Sequence, residues 1–204
     1  LPPVPGIHKT RMVATNSTML ALGIALPHFT LNDCVSSTPV ATASSAGRPV
    51  LVACICNHCP FVVHIREVLV RRLNAWQAAG VQVIAVASND VSRYPQDGAG
   101  PMATEATARG FTFPYCLDAD QAVAKSLRAA CTPDFFLFDA NHRLAYRGRF
   151  DGASPGRPDP VTGAELAAAV EAVLAGQPAP TAQRGSLGCN IKWIPGSEPE
   201  WFPH

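Results

Sequence analysis

Pro49-Val-Leu-Val-Ala-Cys-Ile55 runs straight into Cys56-Asn-His-Cys59-Pro60, and from Phe61 to Ala79 the apolar residues recur at helical spacing. The first run is continuous and apolar, the pattern of a strand buried on both faces. Val62, Ile65, Val68, Leu69, Leu73 and Trp76 share one helical face, and Gly80 stops the helix. Two cysteines therefore stand where a buried strand passes into a helix. The first turn of a helix leaves backbone N–H groups unpaired and carries partial positive charge. A thiolate there is stabilised, and its pKa falls below the free value of ~8.5. A spacing of two intervening residues puts the second sulfur one turn on, within reach of the first. Such a pair attacks a substrate disulfide and then releases it by internal displacement. Cys56 is expected to attack and Cys59 to resolve. His58, between them, is expected to tune the pair, because an imidazolium beside a thiolate favours the reduced form; its plain alternative is a histidine that merely ends a helix.

Outward from this stretch, strands alternate with helices. Phe29 to Asp33 reads as a short strand, Cys34 to Gly47 as a hairpin or loop, and Val81 to Ala87 as a second buried strand. Ser88 to Gly100 is a loop, Met102 to Arg109 a short helix ended by Gly110, and Phe111 to Leu117 a short strand. Asp118 is expected to cap a helix running to Ala130. Asp134-Phe-Phe-Leu-Phe-Asp139 and Arg143 to Arg147 form a hairpin. Thr162-Gly-Ala-Glu165 has the pattern of a capping box, opening a helix to Ala175. The order predicts an α/β layered fold: a central mixed sheet, largely parallel at its centre with antiparallel strands at one edge, flanked by helices. Thr132-Pro133 opens the hairpin, and a cis proline there would bend the chain toward the Cys56 sulfur.

The 204 residues suffice for one domain with decoration. The expected divisions are a disordered lead-in over 1–19, a domain over 20–176, and an irregular tail over 177–204 that packs on it. Net charge is +1, without a basic cluster, which argues against nucleic acid or a membrane surface as partner. No apolar run approaches the ~18 residues of a membrane helix. Lys9 and Arg11 precede a weakly apolar stretch, Met19 to Leu26, but that stretch is short for a secretion signal and follows Asn16, Ser17 and Thr18. Seven cysteines, one tight pair among five scattered singles, fit a reducing compartment better than a stapled secreted domain. A cytoplasmic location is expected, with the periplasm as the alternative.

Four segments together carry a family resemblance: Cys-Asn-His-Cys-Pro-Phe after a strand, Ala-Ser-Asn-Asp (87–90) with Tyr94-Pro95, Cys-Thr-Pro-Asp-Phe-Phe-Leu-Phe-Asp (131–139), and Gly-Cys-Asn-Ile-Lys-Trp (188–193). Over residues 20 to 196 the chain resembles the thioredoxin-like redoxins, the group related to alkyl hydroperoxide reductases and thiol-specific antioxidants. The resemblance implies a thioredoxin-like fold with an N-terminal strand or hairpin addition. It implies a cis Pro133 facing the active pair, and Thr132 offering its backbone to a substrate. Two departures stand out. The Pro-x-x-x-Thr/Ser-x-x-Cys loop of peroxiredoxins is absent before Cys56 and Cys59. The buried acid that thioredoxins keep on the strand before the motif is also absent, since Val50 to Ile55 contains none.

The function expected is thiol–disulfide exchange without a bound cofactor, acting on a protein or small-molecule disulfide and served by a thiol electron donor. The rivals are a thiol peroxidase, a copper- or zinc-handling protein that adds Cys54 and His58 or His64 to the pair, and a non-enzymatic adaptor. No resident metal is expected. Cys131, next to Pro133, and Cys189, in the tail motif, are candidates for further redox thiols. Cys34 and Cys116 read as small hydrophobes in or beside strands.

Overall fold

The computed structural model describes residues 14–202. Its strands and helices are β1 (Ala14–Asn16), β2 (Thr30–Asn32), β3 (Pro39–Ala41), β4 (Val50–Cys54), α1 (Pro60–Ala78), β5 (Gln82–Ala87), α2 (Ala99–Arg109), β6 (Tyr115–Leu117), α3 (Ala122–Ser126), β7 (Cys131–Thr132), β8 (Asp134–Phe138), β9 (Leu144–Gly148), α4 (Ala164–Leu174) and β10 (Leu187–Asn190). The main sheet has the order β6-β5-β4-β8-β9. β4, β5 and β6 are parallel, while β8 and β9 run antiparallel. The apolar β4, and β5 beyond its first residue Gln82, sit inside this sheet, each paired on both edges and buried.

Alternation along β4 divides the core. Leu51 and Ala53 face the layer that holds α1, α2 and α4, with Leu69, Leu73, Met102, Leu166 and Val170. Val50, Val52 and Cys54 face the other layer, with α3, Leu26, Ile191 and Trp193. Burying so many large apolar side chains, each worth about 1.5–3 kcal/mol, offsets most of the chain's ordering cost.

Several expectations need correction. The helix predicted from Asp118 to Ala130 is confined to Ala122–Ser126, because Gln121 and Arg128 take left-handed backbone angles (φ 62° and 50°) that a helix does not accommodate. Asp118 still serves its start, accepting from the Val123 and Ala124 amides at 3.1 and 3.0 Å. The capping box at Thr162 does not close. Gly163 is the helix-preceding residue, Glu165 turns instead to Arg149, and Asp151 accepts from the Thr162 and Gly163 amides at 2.7 and 2.6 Å. Gly163 has φ 68°, and a Cβ there would run into the Phe150 ring.

The chain ends depart most from their description as lead-in and tail. Residues 1–13 lie outside those described, but Ala14–Asn16 is already a strand. It pairs with β10, which pairs on its other edge with β7. Such short strands carry no periodic signal, and each exists only because the other supplies its hydrogen bonds. Beyond β10, Trp193, Trp201 and Phe202 meet edge-to-face with centroids 5.8–6.4 Å apart, and Arg128 lies over the Trp201 ring. No helix among the described residues is long and apolar enough to cross a membrane.

Candidate active site

Cys56 lies in the short link after β4, and Cys59 is the residue that caps α1, with Pro60 at its first position. Proline suits that position, since its missing N–H would have had no helical partner. Both cysteines are closed off, Cys56 at 2% exposure and Cys59 at 0%. All seven cysteines are thiols. Across from the pair stands the Thr132–Pro133 bond, which is cis. Thr132 touches both sulfurs: its Oγ1 is 3.5 Å from Cys56 Sγ, and its carbonyl oxygen accepts from Cys59 Sγ at 3.1 Å.

Hydrogen bonds between the sulfurs shift the two thiols of the pair in opposite directions. The Cys56 and Cys189 thiols both hydrogen-bond to Cys59, and the Val62 amide in the first turn of α1 adds a further donor. This convergence holds the Cys59 thiol well below its ordinary value, with burial opposing it. Cys56, as the donor to Cys59, is pushed up, first by that hydrogen bond and then by burial and by the charge of Asp97. The Thr132 carbonyl works the other way, accepting the S–H of Cys59 when it is protonated. The two sulfurs are thus linked by a hydrogen bond and shifted in opposite directions, Cys59 down and Cys56 up. Cys59 is the one that also meets a first-turn amide, that of Val62.

His58 and its surroundings hold the link in place. His58 Nδ1 lies 2.7 Å from Asp97 Oδ2, close enough for an ion pair though not aligned as a hydrogen bond, and its ring stacks on Tyr94 at 5.5 Å. The fully buried Asp97 also accepts from the Asn57 amide at 2.9 Å and from Asn89 Nδ2 at 2.8 Å. Arg66 donates to the Asn57 carbonyl at 2.8 Å, and the Tyr115 hydroxyl to Asn57 Oδ1 at 3.2 Å. Asp97 falls in the stretch predicted only as a loop. Its role was not visible in the sequence, and the only nearby signal was Tyr94-Pro95.

The other cysteines separate cleanly. Strand alternation ends at Cys54, so Cys54 faces the opposite core layer from Cys56. Among the described residues, the set of ligand atoms close enough to hold an ion is Cys56, His58 and Asp97, and neither Cys54 nor His64 belongs to it. Cys131 alternates with Thr132 and turns away from the pair, its Sγ 3.9 Å from the Pro133 carbonyl. Burial and the charge of Asp134 push both Cys54 and Cys131 far up. Cys189, by contrast, joins Cys59 directly.

Asp134 is a buried acid one strand away from the place where it was sought, paired in register with Cys54. Burial raises its carboxyl to about 7, while the hydroxyls of Ser186 and Ser17 and the Phe135 amide, which face it, lower it. Neither oxygen has a well-formed hydrogen bond.

The redoxin family model matches residues 21–163, most of the chain and the whole of the pair and the Thr132–Pro133 segment. The chain belongs to the redoxin family. An uncharacterized conserved protein from Geobacillus kaustophilus is 41% identical to this redoxin, with TM-score 0.88 over 91% of this chain and 99% of that one. A hypothetical protein from Sinorhizobium meliloti 1021 is 45% identical, with TM-score 0.86 over 89% of this chain and all of its own. At 20% identity, a secreted Mycobacterium tuberculosis disulfide oxidoreductase overlays with TM-score 0.55 on 71% of this chain and 95% of its own. This last likeness shows a shared thioredoxin-like fold. A search of the curated proteins returns no match. The mixed sheet with its flanking helices is thus the thioredoxin-like fold expected, and the family makes redox chemistry at a thiol the general function.

Proposed function

We propose that this redoxin is a thiol–disulfide oxidoreductase in which Cys56 attacks and Cys59 resolves. The observation that carries the reading is a pair of sulfurs at the start of α1, both against Thr132 and its cis bond to Pro133. The Cys59 sulfur, hydrogen-bonded by Cys56, serves as the base for its neighbour. As Cys56 attacks one sulfur of a substrate disulfide, its proton passes to Cys59 and the other substrate sulfur leaves as a thiolate. That leaving thiolate takes the proton from Cys59. Cys59 then attacks the Cys56 sulfur of the mixed disulfide, releasing the second substrate thiolate and closing the Cys56–Cys59 disulfide. Every step exchanges sulfur for sulfur, so no bound cofactor is required, and a thiol donor restores the reduced pair. The near-complete burial of both sulfurs suits a small disulfide, or a flexible segment of a protein, over a rigid folded surface.

The deciding experiment is turnover of glutathione disulfide by the full chain, beside the Cys56→Ser variant. Loss of turnover in the variant, with an unchanged thermal midpoint, supports the pair. Full activity in Cys56→Ser overturns it.

A further inference from the structure

Strand β10 brings a third sulfur to the pair. Cys189 lies opposite Thr132 across the antiparallel β7–β10 ladder and opposite Ala14 on the β1 side, so it is held from both edges. The close seating depends on Gly188, because a Cβ there would run into the Thr132 carbonyl. The following residues are fixed as well. Ile191 donates to the Ala130 carbonyl at 3.0 Å, Lys192 donates through its amide to Asn89 Oδ1 at 2.9 Å, and the Asp90 amide returns to the Lys192 carbonyl at 2.8 Å. In this clamp Cys189 Sγ hydrogen-bonds Cys59 Sγ, and Cys189 is only 3% exposed. The Lys192 ammonium, held on Asn190 O and Oδ1 at 3.0 and 2.6 Å, lies within electrostatic reach of all three sulfurs.

We propose that Cys189 is a third redox cysteine of this site and takes over the disulfide from Cys56, forming a Cys59–Cys189 bridge. The inference rests on the exchange between Cys56 and Cys59 proposed above. Once their disulfide has formed, the Cys189 sulfur attacks the Cys59 sulfur. The Cys59–Cys189 bond forms and the Cys56–Cys59 bond breaks, with its electron pair leaving on Cys56. The proton of Cys189 ends on Cys56, and no electrons enter or leave. Closing a hydrogen-bonded sulfur contact to the ~2.05 Å of a disulfide needs only a small movement. Lys192 offsets the negative charge that passes between the sulfurs. The outcome is an oxidised protein in which Cys56 is again a thiol and β10 is tied covalently to the start of α1.

The test is oxidation of the full chain in glutathione buffers, followed by acid quench, alkylation and peptide mass mapping. The expected result is a bridged Cys59–Cys189 peptide with Cys56 alkylated, and in Cys189→Ser a bridge moved to Cys56–Cys59 with a midpoint shifted several-fold in glutathione ratio. Cys56→Ser oxidised with diamide should still give the Cys59–Cys189 bridge, a check that does not depend on altering β10. A wild-type Cys56–Cys59 bridge with Cys189 alkylated, and the same midpoint in Cys189→Ser, overturns the third-cysteine inference and leaves the two-cysteine function standing. A protein that forms no bridge at Cys59 overturns both.

Discussion

Two groups of cysteines, equally buried, stand on opposite sides of this molecule's chemistry. Cys56, Cys59 and Cys189 meet at the start of α1, where thiol donors and a first-turn amide lower Cys59 while the Cys56 and Cys189 thiols that donate to it are pushed up. Cys54 and Cys131 lie just behind them. They face the apolar layer or turn away from the pair, and Asp134 adds a repelling charge. Burial alone therefore says little about a thiol. What separates the groups is whether burial comes with sulfur neighbours and helix-start amides or with apolar walls, since each group has an acid beside it, Asp97 or Asp134.

The sharpest way to break this comparison is to remove a sulfur from each group. Cys56→Ser should bring disulfide turnover down to the uncatalysed background. Cys54→Ala should leave turnover within about twofold and cost no more than about 1–2 kcal/mol of stability, read from denaturant unfolding. Substantial loss of turnover in Cys54→Ala would erase the distinction.

Asp134→Asn tests the electrostatic half. A carboxyl raised to about 7 in the folded chain, against 3.8 unfolded, stabilises fully below pH 4, and that stability is lost as pH rises through 7. At about 1.4 kcal/mol for each tenfold step, the contrast is of order 4 kcal/mol. The variant should therefore melt several degrees higher than the parent at pH 8, with the difference gone near pH 4. A parent whose melting is flat between pH 4 and 7 would show that Asp134 is not the strained group described.

Asp97→Asn is expected to have a smaller effect on the reactive group. It keeps the shape but removes the charge facing His58 and weakens the hold on the Asn57 amide. Turnover should fall about tenfold with the thermal midpoint little changed, because the link that carries Cys56 is held less firmly. Turnover that falls only in step with a lowered thermal midpoint would make Asp97 a purely structural support.

Much of this protein was legible along the chain. The apolar run into Cys-Asn-His-Cys-Pro, followed by a helical period, located β4, the pair and α1 to within a residue, because buried strands and amphipathic helices write their packing into local spacing. The β8–β9 hairpin was equally readable from its two strand-like runs and the Ala140-Asn141-His142 turn between them. Other features depended on the folded chain. Asp97 gained its partners from residues at sequence separations of up to 40, and the short α3 was set by the backbone of Gln121 and Arg128. β1 and β10 are strands only by virtue of each other and β7.

The sequence by itself determined which sulfurs form the tight pair and that they begin a helix, since both follow from neighbours within one turn. Only the tertiary structure decided that Cys189 joins them while Cys131 does not, and that the buried acid Asp134, on an adjacent strand, stands against Cys54 and Cys131 instead of the pair. Those outcomes depend on hydrogen bonds and burial between segments far apart in the chain, and a hydrogen bond acts over about 3 Å of space whatever the sequence distance between its partners.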